Sequence, residues 1–187
     1  MTRTPLLMLV AGAFAGAALV ASTALAQEKA TETKLPDAVE KTFRTAFPKG
    51  EIHKVDAEEE NGVTVYDFEF KDGDSEKETD IAADGTMLEF TIVVVPDSIP
   101  AAAMKTISNA AKGAKIERLE HIEVSYETKD GKVVKLPKVL TRYAAEMSKR
   151  QKRAEVVVNP DGTVIDSPEW IAVEAKPEAK PDTKAGK

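Results

Sequence analysis

"LPDAVEKTF" at residues 35–43 and "IPAAAMKTI" at residues 99–107 begin two stretches of this chain in the same way. Setting Leu35 on Ile99 gives an offset of 64. It also matches Pro36 with Pro100, Lys41 with Lys105, Thr42 with Thr106, Phe43 with Ile107, Ala46 with Ala110, Ile52 with Ile116 and Val55 with Leu119. Further along an offset of 77 takes over, matching Tyr66 with Tyr143, Glu69 with Glu146, Glu78 with Glu155, and Asp84-Gly85-Thr86 with Asp161-Gly162-Thr163. The difference places a thirteen-residue insertion in the second copy, between Leu119 and Tyr143. Two offsets, each kept without gaps, mark an internal duplication.

Each copy reads alike. Pro36 sits near a first helical turn, where its missing N–H does no harm, and Asp37 suits the helix dipole. Leu35, Val39, Phe43 and Phe47 fall four apart, one apolar stripe of a short helix that Pro48 and Gly50 end. Strand signals follow at 52–56, 63–70, 77–82 and 86–95, divided by the turn pairs Asn61-Gly62, Asp72-Gly73 and Asp84-Gly85. The second copy predicts a helix over 100–112 and strands near 115–127, 132–147, 154–158 and 163–166, with Asp130-Gly131 turning a longer hairpin. The fold class is therefore α+β: two tandem repeats, residues 35–98 and 99–170, each a helix packed on one face of a four-stranded antiparallel meander.

The ends have their own character. Arg3, the Ala/Gly-rich apolar run from Leu6 to Val20 and Ala24-Leu25-Ala26 make residues 1–26 a cleavable signal peptide, which predicts a periplasmic or secreted protein with no stable membrane insertion after cleavage. With no cysteine, the fold does not depend on disulfides and offers no thiolate nucleophile or thiolate metal site. Residues 27–34 read as a linker, and 171–187 as a disordered Ala/Lys/Pro tail.

The run of a helix, then "PKGEIHKV", "VYDFEF" and "IAADGTML", with "GAKIERL" and "VVVNPDGTVI" in the second copy, resembles the PepSY-like domain family, including its β-lactamase-inhibitor-like members. The resemblance covers about residues 35–170. It implies an exported or membrane-attached module, with inhibition through a sheet surface as the behaviour of some members. It transfers no functional side chain.

Strand parity then assigns faces. Tyr66, Phe68 and Phe70, with Thr79, Ile81, Leu88, Phe90 and Ile92, form the helix-covered side. The opposite parity presents Asp67, Glu69, Glu78, Asp80 and Glu89 on an open sheet face, the candidate binding residues. Such acids keep an exposed face soluble; they also form an electrostatic docking surface for a basic partner. Residues 35–98 hold 17 Asp/Glu against 6 Lys/Arg, and residues 99–170 hold 10 against 13, so the copies carry opposite signs. Lys149, Arg150, Lys152 and Arg153, and Lys132, Lys135, Lys138 and Arg142, gather the basic excess. This predicts a salt link between the copies, a bipolar surface for one partner, or charge-driven self-association. A net charge of −6 and no interleaved aromatics argue against nucleic acid.

Other chemistry is thin. "DGDSEKETD" from Asp72 starts like a calcium loop, but Lys77 stands where glycine is needed and Ala83 where a bidentate glutamate is needed. His53 and His121 have no histidine counterparts in the other copy, so no metal or cofactor is expected. No hydrolase, zinc-protease or phosphate-loop motif is present. The expectation is an exported, non-enzymatic binding module, an inhibitor or modulator of an envelope enzyme whose identity the sequence does not name. The alternative is a periplasmic Ca²⁺-binding or buffering protein using the acidic face of the first repeat. Trp170 is expected to cap the end of the core or to anchor a partner.

Overall fold

The four-residue stripe read from the sequence is the inner face of the first helix, α1 (Asp37–Ala46): Val39 and Phe43 are fully buried, and Leu35 and Phe47 close its ends. The computed structural model describes residues 34–173; the segments read as a signal peptide and a linker before Lys34, and the tail beyond Val173, lie outside the described residues. After α1 come β1 (Glu51–Glu60), β2 (Val63–Asp72), β3 (Ser75–Ala82) and β4 (Met87–Val93). Then follow α2 (Ala101–Ala110), β5 (Lys115–Lys129), β6 (Lys132–Lys149), β7 (Lys152–Val158), β8 (Val164–Asp166) and β9 (Ile171–Ala172). The strands pair antiparallel in chain order from β1 to β8, so one sheet runs unbroken through the β4–β5 junction. Ile171–Ala172, placed in the tail on sequence grounds, instead pair with Arg153 and Lys152 of β7.

Both cores lie on the helix side of this sheet. Under α1, the Phe43 ring stacks on Phe68 at 4.6 Å and meets Phe70 edge-on at 4.9 Å. Under α2, Ala103 and Ile107 pack on Leu119, Tyr143, Ala145, Met147, Val156 and Val158. Half-buried Trp170 packs against that second core, as expected of a capping aromatic.

Helix and sheet are tied by matching contacts. Thr42 Oγ1 donates to the Gly85 carbonyl at 2.7 Å, and Thr106 Oγ1 donates to the Gly162 carbonyl at 2.9 Å. Asp84 and Asp161 each accept the backbone N–H two residues on, shaping the turns that carry those glycines. Gly162 has φ +83, and a Cβ there would stand 2.7 Å from the Ala102 carbonyl oxygen. Gly162→Ala is therefore expected to cost about 2–3 kcal/mol, from left-handed backbone strain and from prising α2 off the turn. At Gly85 the nearest backbone atom is 3.0 Å away, so Gly85→Ala should cost less. Urea midpoints of the two variants check the order.

Two features depart from the sequence reading. The register shifts between Asp80 and Ile81, a bulge that sets Ile81 opposite Met87. Leu88 is thereby turned away from the helices to pack with Val65 and Ala82 on the other face. The second lies in the insertion. Val124 is opposite Leu140 but Tyr126 is opposite Lys135, so Leu136, Pro137, Lys138 and Val139 bulge from β6. Proline at a bulge has no ladder N–H to lose, and the bulge bends the hairpin. Its far end reaches the β1–β2 turn: Gly131 N–H donates to the Asn61 carbonyl at 2.7 Å, and Asn61 Nδ2 donates to Thr128 Oγ1 at 2.9 Å. The face opposite the helices is consequently not open along its length. Tyr126 and Val133 of the hairpin cover Val65, Ala82 and Leu88 at one end.

Candidate functional site

Cross-strand register brings the five candidate acids together. Asp67, Asp80 and Glu89 stand directly opposite one another across β2, β3 and β4, and Glu69 stands opposite Glu78 in the adjoining row. All five are half-buried rather than exposed, which corrects the picture of a solvent-swept face. The hairpin latched over the β1–β2 turn shelters one end of this side of the sheet, and the half-buried acidic strip beside it is the trough of this face.

Crowding has an electrostatic consequence. Burial, and then Glu78 and Glu69, push the Asp67 carboxyl up to about 7. Asp80 is held well above the usual carboxylate range by burial and by Glu89 and Asp67 facing it. Glu89 is raised by burial to about 7 against the pull of Arg142. Glu69 is raised by burial while Lys54 opposes the rise. Among groups this close, protons are shared rather than owned, and the row is not fully ionised at neutral pH.

The structure adds residues that sequence reasoning did not place here. Glu60 joins at the latched end, raised by burial and accepting from Thr128 Oγ1 at 3.3 Å. In the second half, Arg118, Glu146 and Glu155 stand opposite one another across β5, β6 and β7. Burial lifts Glu146 and Glu155 to about 7. Arg118 is the centre: its guanidinium pairs with Glu78 of β3 and, through Nε at 2.5 Å, with Glu120. Glu120 retains 4% of its exposure, and its burial outweighs even that pairing, holding it well above the usual range. The expected salt link between the halves exists, carried by Arg118 and Glu78 rather than by the exposed lysines. Lys54 makes the matching arrangement in the first half, pairing with Asp56 and with Glu69 at 3.5 Å.

A signal for these residues was present. Lys54 and Arg118 are 64 apart, as are Asp56 and Glu120, while Glu69/Glu146 and Glu78/Glu155 are 77 apart. The halves differ beside them. Where the first half sets Asp67 opposite Asp80, the second sets Ala144 opposite Val157. Those two join Ile122 and Val124 in an apolar patch packed against Leu136 and Leu140 of the bulged hairpin. The bulged hairpin thus covers apolar surface of the second half and the apolar end of the first, beyond which the first half carries its acids. Of the histidines, His121 stacks on Tyr143 at 5.3 Å and His53 lies near Glu76; among the described residues no group of three or more His, Asp or Glu is arranged to hold a metal ion.

No family model matches this chain, and no curated protein does. Solved structures resemble it at low identity. A protein from Bacteroides eggerthii described as periplasmic superposes with a TM-score of 0.51 at 14% identity, over 74% of this chain and 90% of that one. A DUF2874 family protein from Bacteroides uniformis gives 0.50 at 14% identity, over 72% and 88%. A BLIP-like protein from Bacteroides fragilis lies further off, at 0.46 and 11% identity over 74% and 87%. The first two show a shared fold. Among the described residues, no helix is long and apolar enough to cross a membrane.

Proposed function

We propose that this chain is an exported, non-enzymatic binding module, made of two copies of one PepSY-like helix-and-sheet unit, that holds a basic segment of an envelope protein in its acidic trough. The observation that carries this reading is the row Asp67–Asp80–Glu89. Like charges directly opposite in a sheet destabilise it, by about 0.2–1 kcal/mol a pair on exposed strands. A sequence that keeps such a row against its own stability is serving something other than the fold. A lysine or arginine side chain entering the trough would let the carboxylates ionise together, so the repulsion stored in the free protein becomes binding energy. Restraint of an envelope hydrolase or protease is the form such docking would take.

Other observations support parts of this reading. The paired contacts Thr42–Gly85 and Thr106–Gly162, and the matching rows Lys54–Glu69–Glu78 and Arg118–Glu146–Glu155, support duplication. The periplasmic description of the Bacteroides eggerthii protein agrees with the signal peptide read at residues 1–26. Calcium binding is the weaker alternative, because the acids line up in rows rather than converging on a point.

The test is calorimetric titration with a short lysine homopeptide at pH about 8, in low and in high salt. Binding that fades with salt, and falls about tenfold or more in Asp67→Asn/Asp80→Asn, is the expected result. The same double variant should melt higher than the parent, since it removes a repulsion. Undiminished binding by the variant would remove the trough from consideration, and a melting temperature raised by calcium alone would favour the cation reading.

A further inference from the structure

The equivalent hairpin tips of the two halves have inverted charge. The β2–β3 tip reads Asp72-Gly73-Asp74-Ser75-Glu76, and 77 residues on the β6–β7 tip reads Lys149-Arg150-Gln151-Lys152-Arg153. Gly73 has φ +65, the left-handed conformation glycine adopts freely; Arg150, in the same place, has φ +58. An arginine there strains the backbone where glycine would not. The second half keeps a cation at the point of its hairpin against that local preference.

The surroundings add to the tip. Lys112 and Lys115, at the end of α2 and the start of β5, are exposed like Lys149, Arg150 and Lys152. Lys149 Nζ overlies Gly113, so the lysine rests against the turn that follows α2. The acid on this tip, Glu117, is taken up by Lys115 and Ser148. Beside the cations lies exposed apolar surface. Ile171 of β9 stands opposite Arg153, and Val173 donates its N–H to the Gln151 carbonyl. Ile171 is 70% exposed and Val173, just past the end of β9, 42%, although both are branched apolar side chains.

We propose that the β6–β7 tip with β9 beside it is a docking surface for anionic phospholipid headgroups, adsorbing the protein on a membrane without crossing it. Clustered Lys and Arg supply attraction to the phosphates, and protruding branched side chains supply burial at the headgroup boundary. A small soluble anion would satisfy the cations and leave Ile171 and Val173 in water; a lipid surface satisfies both. The acidic β2–β3 tip does not oppose this. Four strand spacings set the tips ~19 Å apart, beyond the Debye length of about 8 Å at physiological salt. A twist of about 20–25° per strand turns them roughly a right angle away from each other.

Vesicle co-sedimentation tests the surface, using the mature chain from Gln27 and vesicles of phosphatidylcholine alone or mixed equally with phosphatidylglycerol. The expected result is pelleting with the mixed vesicles only. Lys149→Glu/Arg150→Gly/Lys152→Glu should weaken it about a hundredfold or more, and Ile171→Ser severalfold. Arg150→Gly alone should melt no lower than the parent and still bind more weakly, which separates lost binding from lost folding. Equal pelleting with neutral vesicles, none with either, or an undiminished triple variant would overturn the proposal. So would release of the protein by millimolar glycerol phosphate, which would mark a pocket for a free phosphate instead of a surface.

Discussion

Raising the pH from about 5 to about 8 lowers the melting temperature by roughly 10 °C, the reverse of the rise expected when carboxylates are stabilised by native salt bridges. Asp67, Glu89, Glu146 and Glu155 each have a native carboxyl raised to about 7. In the unfolded chain such groups lose their protons near pH 4. Between those limits the native state binds more protons than the unfolded state, so unfolding becomes easier as pH rises, and the loss is complete once pH passes the native values. Solvent reaches the trough, which reduces each contribution to on the order of 1 kcal/mol. Four of them sum to several kcal/mol, a large part of an ordinary domain's stability. Melting followed by circular dichroism at fixed ionic strength reads this directly. A flat or rising profile over that range would mean that water screens these acids as it screens any surface carboxylate. In Asp67→Asn the slope should be shallower and the melting temperature at pH about 8 higher. A bound basic peptide should flatten the profile too, because it supplies the missing counter-charge.

How far the trough was legible in the sequence follows from the range of the forces that build it. The helix stripe Leu35–Val39–Phe43–Phe47 and the turn pairs are local signals, and the helix and hairpins stand where those signals lie. Alternation along β2 and β3 correctly grouped Asp67, Glu69, Glu78 and Asp80, since two unbulged strands keep parity. Parity failed at Leu88, because a bulge inserts a residue without leaving a compositional mark. It also could not say that the acidic face is partly covered. That depends on Asn61 meeting Gly131 and Thr128 across roughly seventy residues of chain, a contact between two turns that each look like ordinary hairpin ends. Arg118, Glu120, Glu146 and Glu155 were readable in principle: their partners by the two offsets are Lys54, Asp56, Glu69 and Glu78. Placing the two offsets on one sheet face requires knowing that the sheet continues through β4 and β5, and only the pairing of Val93 with Glu120 and its neighbours establishes that.

Arg118→Met is expected to cost about 3–5 kcal/mol at pH about 8, the loss that follows when one partner of a buried ion pair is removed and the other stays. Arg118 faces Glu78 from the first half and Glu120 from the second, and Glu146 lies within its field. Removing its charge leaves three acids without their cation at the seam of the sheet. The matching substitution in the first half, Lys54→Met, should cost under ~1 kcal/mol, since the acid it leaves behind, Asp56, is partly exposed to water where Glu120 is buried. The two variants thus separate burial from charge at equivalent positions of one design. Acid should narrow the gap: at pH about 5 Glu120 and Glu146, already raised, take up protons and no longer need the guanidinium. Denaturant midpoints of both variants at the two pH values give the comparison. Adding Glu120→Gln to Arg118→Met should recover part of the loss at pH about 8 and little at pH about 5. If both single variants lose stability equally at both values, the side-chain volume matters there and the ion pair does not. The expected pattern instead makes Arg118 the charge that lets an acidic face span both halves of the sheet, because without it the like charges of β3, β5 and β6 would meet with nothing between them.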